Sequence, residues 1–150
     1  TTNLDPMGWR GVRLDSRLEL QRSQVEDPLT GQDREISGSL KRFASLSLRH
    51  DVPETDWAWG ASLSHQKNAQ VYRLTELSRQ FEFPIFGSLF VEHKDFHGLT
   101  LRASVANVFS GESYFFRTRY AGRRTDPVAW IERRDRTVGP IFSFEIRGSF

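Results

Sequence analysis

Between Val12 and Gln21, apolar side chains take the even positions Val12, Leu14, Leu18 and Leu20, while Arg13, Asp15, Arg17, Glu19 and Gln21 take the odd ones. A period of two sends these sets to opposite faces of a strand, whereas a helix would mix them on one face. The pattern returns with Ile36, Leu40, Ala44, Leu46 and Leu48 set against Glu35, Ser37, Ser39, Lys41, Ser45, Ser47 and Arg49; Phe43 is the misfit on the polar face. Trp57, Trp59, Ala61 and Leu63, separated by Ala58, Gly60, Ser62 and Ser64, begin a third run that extends through Tyr72 to about Thr75. A fourth runs from Phe81 through Phe83, Ile85, Gly87, Leu89 and Val91. A fifth starts at Leu99, Leu101, Ala103 and Val105, bends near Ser110 and Gly111, and continues through Tyr114, Phe116 and Tyr120. The last covers 128–150 and closes on Phe142, Phe144, Ile146 and Phe150. In 71–80, VYRLTELSRQ, the spacing of Val71, Leu74 and Leu77 also suits a helical turn; the stretch is read here as strand and loop.

Turn residues separate the runs, at 27–33, 50–56 and 94–98, with a polar loop at 122–127. The expectation is an all-β chain of six antiparallel up-and-down strands, most of about 15 to 22 residues where soluble strands usually have about 5 or 6. A strand of about 9 to 11 residues already crosses the hydrocarbon of a bilayer. No repeat, low-complexity segment or linker divides the 150 residues, which have the size of one domain.

Only 37% of the chain is hydrophobic but 13% is aromatic, so its apolar surface is held in few, large side chains. The 21 basic and 19 acidic residues nearly cancel, and the basic ones, almost all arginine, are dispersed. Dispersal argues against nucleic acid, which needs a basic patch on one face. Without cysteine there is no disulfide framework and no thiolate metal site, which fits a cytosolic protein and many bacterial envelope proteins equally well. No stretch reaches the roughly 20 apolar residues of a transmembrane helix, and TTNLDPMGWR lacks the charged start and apolar centre of a signal peptide. A membrane β-barrel stays open, because its strands alternate and never show a long apolar run.

Alternation says that one face is apolar but not what covers it. A soluble β-barrel or β-sheet module with an apolar interior, binding an apolar ligand, writes the same pattern as a membrane barrel with an apolar exterior. Three features favour the membrane. The polar positions carry charges of both signs, which can pair across a wet lumen. Trp9, Trp57, Trp59 and Phe150 fall toward one edge and Phe81, Phe83 and Tyr120 toward the other, as two interfacial girdles would. The turns at 50–56 and 94–98 lie on the same edge as Phe150 if strands alternate in direction. Six strands are nevertheless fewer than the roughly eight of the smallest outer-membrane barrels, and an open edge cannot face lipid. The chain is therefore expected to be part of a larger barrel or to pair with another chain.

The run GLTLRASVANVFSGESYFFRTRYAGRR followed by IERRDRTVGPIFSFEIRGSF resembles the end of TonB-dependent outer-membrane receptors. The matching positions are Asn107 and Phe109, then Arg117, Tyr120, Gly122 and Arg123, then Arg133, Gly139, Pro140 and Phe150. The stretches at 90–102 and 48–64 look like late strands and periplasmic turns of that family. The resemblance implies an antiparallel transmembrane β-barrel segment, 1–150 being the C-terminal part of a barrel of about 22 strands, with the N-terminal plug domain absent from this chain. It also implies a bacterial outer-membrane location and uptake of a scarce ligand (siderophore-iron, vitamin or oligosaccharide) energised through the TonB complex, without catalysis. Implied partners are outer-membrane lipid and lipopolysaccharide, the rest of the barrel and plug, and the barrel-assembly machinery, which would read Phe142, Phe144, Ile146 and Phe150. One departure is Gly148, where many outer-membrane proteins place an aromatic third from the end.

His93 and His97 have an HxxxH spacing, but they flank turn residues Asp95 and Phe96 and do not share a helix face, which argues against zinc. No nucleotide-binding, nucleophile-elbow or zincin motif occurs, and no cofactor is expected. Acidic pairs such as Asp15 and Glu19 read as lumen charge balance. Arg123, Arg124, Arg133 and Arg134 are candidates for contact with an anionic ligand or lipopolysaccharide phosphate through bidentate pairing, against the plainer reading of solvated loop charge.

Overall fold

The computed structural model describes residues 1–81 and 85–148, without the side chain of Phe81. Apart from one 3-10 turn, Asp5–Met7, its regular structure is all strand: β1 (Thr2–Asn3), β2 (Val12–Leu20), β3 (Val25–Glu26), β4 (Asp33–Arg34), β5 (Leu40–Asp51), β6 (Trp57–Asn68) and β7 (Val71–Tyr72). There follow β8 (Glu76–Phe81), β9 (Phe86–Phe96), β10 (Leu99–Ala106), β11 (Glu112–Tyr120), β12 (Val128–Thr137) and β13 (Ile141–Arg147). Every pairing is antiparallel. A seven-stranded sheet has the order β1-β2-β5-β6-β9-β10-β13, a four-stranded sheet the order β12-β11-β8-β7, and β3 pairs with β4.

These strands make six passes, up and down: β2 with β3, β4 with β5, β6 with β7, β8 with β9, β10 with β11, and β12 with β13. Consecutive passes are neighbours throughout the seven-stranded sheet. The expected strands are thus present as passes but not as unbroken strands; the longest uninterrupted ones have 12 residues. The fourth pass also starts earlier than Phe81, at Glu76. In 71–80 the backbone is strand, turn and strand.

Among the described residues the first three passes break toward one end, beside the short strands β3, β4 and β7, and the fifth and sixth break near their middles; polar side chains hold these breaks together as a seam. Ser23 and Ser39 share a hydroxyl hydrogen bond of 2.9 Å, and the Ile36 amide donates to Ser23 Oγ at 3.2 Å. Between the fifth and sixth passes Asn107, fully buried, donates its amide to the carbonyls of Val138 and Gly139 and accepts the Gly111 N–H at 3.1 Å. Asn107 and Ser110 have positive φ, 53° and 49°, so the bend expected near Ser110 begins three residues earlier. Asn tolerates the left-handed region and can satisfy backbone groups that the interrupted ladder leaves open. The sixth pass, expected as one strand, breaks opposite this point at Gly139 and Pro140; proline cannot donate to a ladder.

The turns at one end are short. Between β9 and β10 only His97 and Gly98 turn the chain, with φ of 56° and 81°, the left-handed pair of a type I′ hairpin; this is tighter than the turn expected over 94–98.

A soluble domain of this size buries its apolar residues between packed layers. Among the described residues only Val12, Ala58 and Ala69 are buried apolar side chains. Among the described residues the seven-stranded sheet is a single layer with two open lateral edges, β2 with the short β1 on one side and β13 on the other, and no pairing closes it on itself.

Candidate functional site

Register fixes the composition of each face. On one, neighbouring strands align Leu14, Leu48, Ala61, Leu89, Val105 and Phe142 in a continuous row. The next row toward the short turns is Val12, His50, Trp59, Val91, Ala103 and Phe144, and beyond it come Trp57, His93, Leu101 and Ile146. Away from the turns lie Ser16, Leu46, Leu63 and Gly87. Apart from Val12 and Gly87, which are buried, these residues are half-exposed or exposed in the chain as it stands: Phe142 is 79% exposed, Phe144 66% and Ile146 58%. Over Gly87 the rings and methyls of Phe109 and Val108 occupy the space that a Cβ would need.

At the short-turn end this face carries Trp9, Trp57 and Trp59, each about half exposed. His50 packs edge-on against Trp59 with centroids 5.5 Å apart, and His93 against Trp57 at 4.7 Å. Phe96, not singled out by the sequence, joins them: His93 lies edge-on to it at 6.1 Å and His97 at 4.9 Å. The two histidines of the HxxxH spacing therefore each pack on Phe96. Toward the opposite end Tyr120 pairs with Val128 beside the outer loops. Phe81 pairs with Tyr114 at the inner end of β8, so by register it borders the seam and not the outer rim, a correction to its expected place. Among the exposed apolar residues on the outer strands and loop are Phe116, Val128, Trp130, Ile131 and Leu74. Phe83 and Phe150 lie outside the described residues.

The other face is polar and paired. Glu92, 7% exposed, accepts from Arg49 at 2.6 Å and pairs with Arg102 at 3.5 Å. Asp51 links Arg49, Lys94 and Arg13 at 3.0, 2.8 and 3.2 Å. Phe90 belongs to this face, opposite Gly60. A Cβ on Gly60 would overlap both the Phe90 ring and the Leu48 carbonyl oxygen. The guanidinium of Arg102 covers the same ring at 3.8 Å and that of Arg49 at 5.5 Å. Phe43, the expected misfit, is covered likewise by Arg17 at 5.3 Å. Stacking explains why this face uses arginine: a planar guanidinium lies flat on an aromatic ring while its edge still donates to a carboxylate.

The outer loops converge on one carboxylate. Asp27 is 2% exposed; Arg34 reaches it from β4 at 2.7 Å and Arg124 from the loop between β11 and β12. Both guanidiniums also stack on Tyr72, at 4.8 and 5.4 Å. Arg124 further ties the loop between β7 and β8, donating Nε–H to the Arg73 carbonyl at 2.7 Å and its backbone N–H to the Leu74 carbonyl at 2.9 Å. Burial by itself would raise the Asp27 pKa, but the Leu29 amide and the two guanidiniums outweigh it and hold it at about 2.

Of the four candidate arginines, Arg124 is thus consumed inside the protein, its side chain 10% exposed. Arg133 and Arg134 stand on β12, 67% and 61% exposed, paired with Asp135 at 3.0 Å and Glu132 at 2.9 Å. Arg134 also covers Phe115 at 4.4 Å. Arg123 is exposed, its backbone N–H donating to Asp126 at 2.6 Å. The four do not form one site. Among the described residues no group of three or more His, Asp or Glu side chains is arranged to hold a metal ion. Compared with protein-family models, with curated proteins and with solved structures, the chain finds no match.

Proposed function

We propose that this chain is part of the wall of a bacterial outer-membrane β-barrel, and that the protein is a TonB-dependent receptor importing a scarce ligand such as a siderophore-iron complex, vitamin or oligosaccharide. The observation that carries the membrane reading is the uncovered apolar face: aligned rows of Leu, Val, Trp and Phe across the passes, backed by a face of paired charges, with almost no apolar core. In a bilayer lipid covers those rows and the paired charges line the lumen, which satisfies both faces without a second layer. The two open edges require further strands from the same protein to close the barrel. The aromatic end with Trp9, Trp57, Trp59 and Phe96 matches an interfacial girdle at the periplasmic side. The transport role rests on the family resemblance of the C-terminal runs. In that role the chain supplies seal and lumen wall, the barrel-assembly machinery receives its last strand, and coupling to TonB belongs to the plug.

Leu46 and Ser45 test the assignment of faces, since Leu46 aligns with Leu63 and Ser45 with Ser64. In the complete barrel folded into lipid vesicles, Leu46→Arg is expected to cost about 2 to 4 kcal/mol near the bilayer midplane and Ser45→Arg, on the polar face, distinctly less. The reverse order would show that the apolar face looks inward. A chain that stays monomeric without detergent and takes up an apolar dye would replace the proposal with the soluble binding module.

A further inference from the structure

On the apolar face at the short-turn end lies a depression of about 460 Å³. Trp9, Arg10, Val12, Leu48, His50 and Trp59 are among the residues that line it. We propose that it binds one anionic phospholipid of the periplasmic leaflet, the phosphate on Arg10 and an acyl chain along Val12, Leu48 and Trp59. The inference rests on the reading of this face as lipid-facing, and adds to it a discrete site with a preferred headgroup.

Arg10 differs from the other cations at this end. Arg13, Arg49, Lys94, Arg102 and Arg147 each hold a carboxylate on the polar face. Among the described residues no carboxylate lies within ion-pair distance of Arg10. Asp5, which attracts it through space, is already occupied by the Asn3 side chain at 2.9 Å and the Gly11 N–H at 2.7 Å. A guanidinium without a contacting carboxylate, beside an apolar depression lined by two indoles, is complementary to a phosphodiester with a hydrocarbon tail.

The segment that presents Arg10 is pinned in place. The Asp51 amide donates to the Gly11 carbonyl at 2.8 Å and the Trp9 amide to the Leu4 carbonyl at 3.2 Å. Gly11 has φ of 74°, and a Cβ there would overlap the Asp51 carbonyl oxygen, so this close approach of two backbones needs glycine. A site held ready in this way loses little freedom when a lipid binds. Phosphatidylglycerol should outcompete phosphatidylethanolamine, whose ammonium competes with Arg10 for the phosphate.

The test is native mass spectrometry of the complete barrel released from detergent after equilibration with equimolar phosphatidylglycerol and phosphatidylethanolamine. One retained phosphatidylglycerol is expected, reduced about tenfold by Arg10→Ala through loss of one charge-assisted hydrogen bond and largely restored by Arg10→Lys. Insertion into vesicles, read as a heat-sensitive gel shift, should be unchanged because Arg10 is exposed. Equal retention of the two lipids, or retention untouched by Arg10→Ala in a barrel that inserts, overturns the site while leaving the barrel intact. A protein that never inserts overturns the barrel reading and the site together.

Discussion

At residue scale the chain uses few apolar contacts and many arginines, and carboxylates organise them, Glu76 holding Arg73 and Arg119 among the outer strands. Asp51 and Glu92 tie the strands on the polar face, and Asp27 ties the outer loops. Asp27 titrates at about 2 in the folded chain against 3.8 for a free carboxylate. A lowered folded pKa means that the unfolded form binds the proton first, so its contribution is complete above about pH 4 and is lost as pH falls toward 2. Hydrogen exchange of the amides around 27–34 and 121–126 should therefore accelerate over that window. Asp27→Asn should reproduce the acceleration at pH 7, since it leaves two nearly dry guanidiniums without their counter-charge. Exchange rates in the variant equal to those of the parent would show that the loops are held by other contacts. The residues of this cluster were only half legible. DPLTGQD and GRRTDP announced turns, but the meeting of Asp27 with Arg124, 97 positions away, depends on which strand ends lie side by side.

At the scale of elements the seam is a feature that the sequence foretold only at the fifth pass, as the bend near Ser110. A period of two continues across an interruption whenever the apolar residues resume, and strands such as β10 and β11 then read as one. The parity change between Val105 and Tyr114 was the available signal, together with Gly139 and Pro140 in the facing pass. Asn107 holds this part of the seam through three hydrogen bonds from a fully buried side chain. Asn107→Ala should cost about 1 to 3 kcal/mol by leaving those groups unmade, with additional strain from an alanine at positive φ. Urea unfolding of the complete barrel from vesicles is the measurement, and an unchanged midpoint would reduce Asn107 to a passive turn residue. Gly60 was likewise readable only as a small residue in a strand. Its partner across the ladder, Phe90, turns it into a seat for an aromatic ring, which covers the gap that a glycine leaves in a sheet.

For the whole molecule the governing fact is a single layer with two edges. Along β12 and β13 the outward-facing backbone groups have no partner strand. In the isolated chain, amides of that edge should exchange at least about tenfold faster than those of β6, which is paired on both sides. If the proposed barrel is correct, the difference should shrink in the complete protein as a neighbouring strand supplies the missing hydrogen bonds. An edge that is equally protected in the isolated chain would mean that it pairs with a second copy.

The alternation by itself determined the all-β architecture, the six passes, their order and which residues share a face, because the side-chain period of a strand is fixed by the backbone. The aromatic character of the short-turn end was also written in Trp9, Trp57 and Trp59. Only the tertiary structure decided where each pass breaks, that Arg124 is spent on Asp27, and that Arg10 overlooks an apolar depression without a carboxylate partner. Those facts arise from contacts between residues far apart in the chain, which register brings together and periodicity cannot name. It also showed the apolar face to be bare among the described residues, and so made the cover of that face the property that the Leu46 and Ser45 variants test.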